Sequence, residues 1–175
     1  TLVALAAWSW DMLTRGGKLR RTPVDWLVLA FLGWVTLSTV FSMHPPTAVF
    51  GKYRRFEGLL SFINYATLYF LVIQFADRPS RIKQLAQSLF ASGIIVGLYG
   101  AMQSVGIDPL SWGNLPFEAN RSFSTYGNPD LLAGFLMFSV FVSLGLALAE
   151  KNLAWRAVYW FGFLLNAYVV ITAFT

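Results

Sequence analysis

Two short stretches carry side chains whose type and spacing suit the holding of an anion. The first reads Gly51-Lys52-Tyr53-Arg54-Arg55-Phe56-Glu57-Gly58, three cations within four residues, and follows His44-Pro45-Pro46. The second reads Asn120-Arg121-Ser122-Phe123-Ser124-Thr125-Tyr126-Gly127-Asn128-Pro129-Asp130. Arginine fits phosphate or pyrophosphate because its planar fork donates two parallel hydrogen bonds and keeps its charge. The chemistry open to these clusters is recognition of a lipid-linked phosphate. The same cations could instead touch anionic lipid head groups or pair with Glu57 and Glu118.

Asn128-Pro129-Asp130 reads as a helix start: Asn is a favoured N-cap, Pro suits the first helical position and Asp complements the dipole. The amides of that first turn could help to hold an anion. Gly127, just before the cap, permits a backbone turn that other residues resist. His44 reads as an ordinary interfacial histidine, Asn120-Arg121-Ser122 as a chance glycosylation sequon, and Trp112, Phe117, Phe123 and Tyr126 as interface aromatics shaping a groove for lipid or sugar. The chain has no cysteine and one histidine, which leaves no thiolate chemistry and no His or Cys metal cluster; no carboxylate cluster stands in for one, so no metal or cofactor is expected.

The elements that position these loops follow from the solvent. Hydrophobic residues make up 57% of the chain and charged ones only 12%, and apolar runs recur along its whole length, so lipid rather than water surrounds most of it. In lipid every backbone amide must be paired internally, which makes the runs helical, since barrel strands would alternate. The expected fold is all-α, a polytopic transmembrane bundle in a single domain, with about five to six spans near 2–13, 24–42, 59–76, 85–105, 130–149 and 158–175. Segments 14–23, 77–84 and 150–157 are short and basic and hold nine of the 13 Lys and Arg residues, whereas 43–58 and 106–129 hold Lys52, Arg54, Arg55 and Arg121. The first set is therefore expected in the cytoplasm and the second outside. That asymmetry also explains the net charge of +5 without nucleic acid. Ionisable residues avoid the span centres, which weighs against a proton-coupled pump. Gly93 and Gly97, with Gly100 and Ala101, have the spacing of a helix-packing face, and Asn64 and Asn166 are expected to form interhelical hydrogen bonds. Both ends fall inside apolar runs, as in a segment of a longer protein.

The spacing Gly51-x-x-x-Arg55-x-x-Gly58, followed by Arg121-x-x-Ser124-Thr125-Tyr126-Gly127-Asn128-Pro129, resembles the bacterial O-antigen ligase family, which includes O-antigen polymerases and protein O-oligosaccharyltransferases. The resemblance spans most of the chain. It implies an enzyme of the bacterial inner membrane that transfers a glycan from a polyprenyl-pyrophosphate donor to a glycan, lipid or protein acceptor on the non-cytoplasmic face, without metal. It implies donor binding by Arg55 and Arg121, with Arg54 and Lys52 weaker candidates and with Gly127, Asn128 and Pro129 shaping the loop that presents Arg121. The family more often has a second Asn where this chain has Asp130, and its catalytic His lies on a long outer loop further along than these residues reach. A transporter or flippase of lipid-linked sugars would use the same arginines without chemistry, and a membrane scaffold would need them only for head groups.

Overall fold

The structure, a computed structural model, describes residues 1–16, 19–52, 57–110, 112 and 121–173. Among them the chain is all-helical: α1 (Leu2–Arg15), α2 (Val24–Val40), α3 (Pro45–Phe50), α4 (Leu59–Phe75), α5 (Pro79–Ser104), α6 (Pro129–Ala149) and α7 (Leu153–Thr172), with a 3-10 turn at Ser124–Tyr126. Helices α5, α6 and α7 are long and apolar enough to cross a membrane, while α1, α2 and α4 are shorter apolar helices.

Two helix starts and one loop differ from expectation for local reasons. Helix α5 starts at Pro79 rather than near 85, because proline is preorganised for a first helical position. Helix α7 starts at Leu153 rather than near 158, because the Asn152 side chain accepts hydrogen bonds from the Ala154 and Trp155 amides. Basic segments 77–84 and 150–157 are thus partly helical. Segment 43–58 holds the short α3, opened by Pro45 and Pro46.

The chain divides into two compact units, Thr1–Arg81 and Ile82–Thr175. In the first, aromatic edges join the helices: Trp8 meets Phe70 and Phe31 meets Phe62, both edge to face. The Asp25 carboxylate reaches back to the amide and hydroxyl of Thr22, half of a capping box, and also accepts from the Tyr69 hydroxyl at 3.0 Å, tying α2 to α4. Arg20 closes the C-terminal end of α4, donating to the carbonyls of Ala76 and Asp77 at 3.0 and 3.1 Å, where the helix dipole favours a cation.

The second unit is built on small residues. Phe90, Gly93, Gly97, Gly100 and Gln103 of α5 are buried at helical spacing, facing Leu132, Leu136, Ser139 and Ser143 of α6 and Tyr159, Gly162, Asn166 and Val169 of α7. A Cβ on Gly93 would overlap Ser139, one on Gly97 would overlap Asn166 and one on Gly100 would come within 2.7 Å of Val169. Absence of a side chain lets these backbones approach, the expected role of the glycine face. Asn166 donates to the Ser139 hydroxyl at 2.9 Å, as an interhelical polar contact should, whereas Asn64 lies exposed. The Asn166 Oδ1 is buried without a conventional partner and faces Gly97, where a Cα–H contact is the weak donor on offer. Below this layer Phe90 and Tyr159 meet edge to face at 4.9 Å, within a cluster that includes Leu146 and Ala147. Lys83 pairs with Glu150 at 2.8 Å.

Replacing Gly93 by Ala places a methyl group 2.6 Å from the Ser139 Cβ, so the bundle must separate. The expected loss is about 1–3 kcal/mol, the usual range for overpacking, read as a lower unfolding midpoint in detergent; an unchanged midpoint would mean that α5 and α6 do not meet there. The hydrogen bond from Lys83, then that from the Asn152 amide, holds the Glu150 carboxyl below its ordinary value. A lowered folded-state value stabilises above the unfolded value and is lost as the pH falls through the folded one. Glu150→Gln should therefore lower the melting temperature at neutral pH, with the difference from wild type vanishing in acid.

Candidate functional site

The loop that enters α6 is fixed from both sides. Asn128 accepts from the Asp130 amide at 2.8 Å, Pro129 occupies the first turn and Gly127 adopts a left-handed conformation with φ 64°, so the helix start has the form expected of it. Upstream, Ser122 is fully buried: its amide donates to the Thr172 carbonyl at 3.2 Å, and its hydroxyl lies 2.8 Å from both the Gly100 carbonyl and the Thr172 hydroxyl. The Ser124 hydroxyl donates to the Val96 carbonyl at 2.9 Å, which holds this non-glycine residue at φ 48°.

Gln103 is the residue on which this loop closes. Its carbonyl oxygen accepts from the amides of Phe123 and Ser124 at 3.2 and 2.6 Å, while its amide nitrogen donates to Asp108 at 2.8 Å. Asp108 also accepts from the Tyr99 hydroxyl at 2.8 Å and from the Leu110 amide at 3.0 Å, and Trp112 donates to the Tyr99 hydroxyl at 3.3 Å. Desolvation pulls the Asp108 carboxyl up, but the hydrogen bonds from Leu110, Tyr99, Gln103 and Trp112 together outweigh it and hold the group below its ordinary value. Neither Gln103 nor Asp108 is singled out by the sequence motifs. The signal for Gln103 is its place at the end of the Gly93-Gly97-Gly100 stripe, where a polar residue on a buried face must have partners.

Arg121 sits on top of this framework. Its Nε donates to the Ala173 carbonyl just beyond α7 at 2.8 Å, and its Nη2 to Asp130 Oδ1 at 3.2 Å. The Arg121 side chain is 22% exposed and that of Asp130 72%. Arg121 therefore pairs with Asp130, and an arriving anion competes with an exposed carboxylate for the guanidinium. Tyr126 stacks on Phe135 with centroids 5.5 Å apart, and burial pushes its hydroxyl up, so it stays protonated.

The other expected site residues divide. Asn128 and Gly127 shape the entry to α6, as described. Arg54 and Arg55 lie outside the described residues, as do Phe117, Glu118 and Asn120; the glycines flanking the arginine pair are nevertheless informative. Gly51 has φ 86°, and a Cβ on Gly58 would overlap the Gly51 amide and the Val49 carbonyl, so the chain leaves at Gly51 and returns at Gly58 to the same point. His44 is exposed ahead of α3. Of the aromatics expected at an interface, Trp112 and Tyr126 are partly exposed, but Phe123 is buried at 2%, packed edge to face on Trp112 because the Gln103 clamp draws its backbone inward. Among the described residues no group of His, Cys, Asp and Glu could hold a metal ion. No protein-family model, curated protein or solved structure matches this chain.

Removing the Gln103 side chain leaves two buried loop amides unpaired, each costing about 1–3 kcal/mol. Gln103→Ala should therefore raise amide exchange at Ser122, Phe123 and Ser124 while the centre of α6 stays protected; unchanged exchange would show that the clamp does not hold the loop.

Proposed function

We propose that this chain binds the donor in a membrane glycosyltransferase of the O-antigen ligase type, acting on a polyprenyl-pyrophosphate-linked glycan at the outer face of a bacterial inner membrane. The observation that carries the reading is the placement of Arg121, fixed through Nε at the end of α7 and presented beside the capped start of α6. An acceptor hydroxyl attacks the anomeric carbon, the bond from that carbon to the pyrophosphate oxygen breaks, and the pyrophosphate leaves with the bonding electrons. In this reading Arg121 stabilises the charge that develops on that leaving group, a role that suits a group aimed before the reaction begins. Arg55, with Arg54, supplies further positive charge in this reading, and the base that takes the hydroxyl proton is not assigned to any described residue.

The reading includes five to six membrane crossings with segments 14–23, 77–84 and 150–157 in the cytoplasm. Within the first unit Arg20 meets Gln74, Ala76 and Asp77, and within the second Lys83 meets Glu150, so basic segments share an end in each, as alternating crossings require. Helices α2 and α4, at 17 residues each, reach about 25 Å, slightly short of a hydrocarbon core, so their crossings depend on the flanking turns.

In cells lacking the native gene, the full-length Arg121→Ala protein at matched membrane levels should transfer glycan roughly 100-fold more slowly, with lipid-linked donor accumulating on the outer leaflet. Arg121→Lys should recover only part, since an ammonium cannot fork. Asp130→Asn should retain or raise transfer by removing the competing carboxylate. Donor trapped on the inner leaflet would identify a transporter instead, and undiminished transfer by Arg121→Ala would remove the site.

A further inference from the structure

A cavity of about 580 Å³ opens within the first unit, between α1, α2 and α4 at their basic end. Its size falls within the roughly 300–1,000 Å³ of small-molecule sites. Leu5, Leu29, Leu32, Ile63 and Phe70 make its walls, and Arg20, Arg21 and Thr22 its mouth. Two cations thus stand over an apolar channel. The Arg20 guanidinium donates to the carbonyls of Ala76 and Asp77, which fix its position. Arg21 is exposed, and its charge acts on Asp25. Asp25 is occupied by Thr22 and Tyr69, and the cavity lining holds one carboxylate against two guanidinium groups, a net positive charge.

We propose that this cavity holds one phospholipid with an anionic head group, its acyl chain between α1, α2 and α4 and its phosphate against Arg21 and Arg20. Charge and apolar depth together select this occupant: a free phosphate would leave the channel empty, and a neutral hydrocarbon would leave the cations unused. Trp26, 74% exposed at the rim, has the amphipathic ring that settles at head-group level. The inference rests on the membrane reading of the chain and not on glycan transfer, so failure of the transfer assay leaves it standing.

The test is native mass spectrometry of the full-length protein released from nanodiscs holding equal phosphatidylglycerol and phosphatidylcholine. The wild type should retain one phosphatidylglycerol in preference to phosphatidylcholine. Arg21→Ala should cut that retention roughly fivefold, the worth of one basic residue at an anionic surface, and Ala66→Phe, which fills the channel from α4, should abolish it with the unfolding midpoint preserved. A photoreactive residue at position 66 should capture phospholipid. Equal retention of both lipids, retention unchanged in both variants, or capture of a peptide from this chain or another protein would overturn the proposal.

Discussion

The second unit depends on how closely α5 can approach its neighbours. Lipid gives helices no hydrophobic reason to associate, so contact distance, packing and a few polar bonds decide whether they do. With only hydrogens at Gly93, Gly97 and Gly100, the α5 backbone comes within reach of Ser139, Asn166 and Val169. The same stripe ends at Gln103, so the surface that packs the bundle in its middle grips the loop before α6 at its end. Packing and site geometry are consequences of one helix face.

Arg121 shows how such a framework shapes a charged group. Its Nε serves the end of α7, where the carbonyl dipoles attract a cation, and its Nη2 meets the Asp130 carboxylate at the start of α6. The carboxylate is exposed, while the bond to Ala173 fixes the guanidinium from the other side. A residue held in this way has already lost the rotamer freedom of a long side chain, so its guanidinium keeps one position at the end of the bundle.

The first unit is held differently. Among its described residues only Thr39 and Gly58 are buried, and Trp26 and Trp34 are more than 70% exposed. Aromatic edges, the Asp25–Tyr69 bond and the Arg20 contacts at the end of α4 connect its helices. Such a surface suits lipid on several sides, and the cavity between its helices is the place where that surface turns inward.

Much of this was legible in the amino-acid order. Apolar runs require helices because unpaired amides are too costly in lipid, and Asn128-Pro129-Asp130 marks a helix start by local chemistry that needs no distant partner. The glycine face of α5 was legible for the same reason, as a periodic pattern on one element. Long-range pairing was not: Arg121 with Ala173 and Asp130, Gln103 with the loop at 123–124, and the burial of Phe123 join residues whose separation along the chain says nothing about their distance. Sequence determined which groups carry charge and which segments become helices, because those depend on side-chain type and local backbone. Only the tertiary structure decided which carboxylate Arg121 meets and which amides Gln103 satisfies, because those depend on how closely three helices pack.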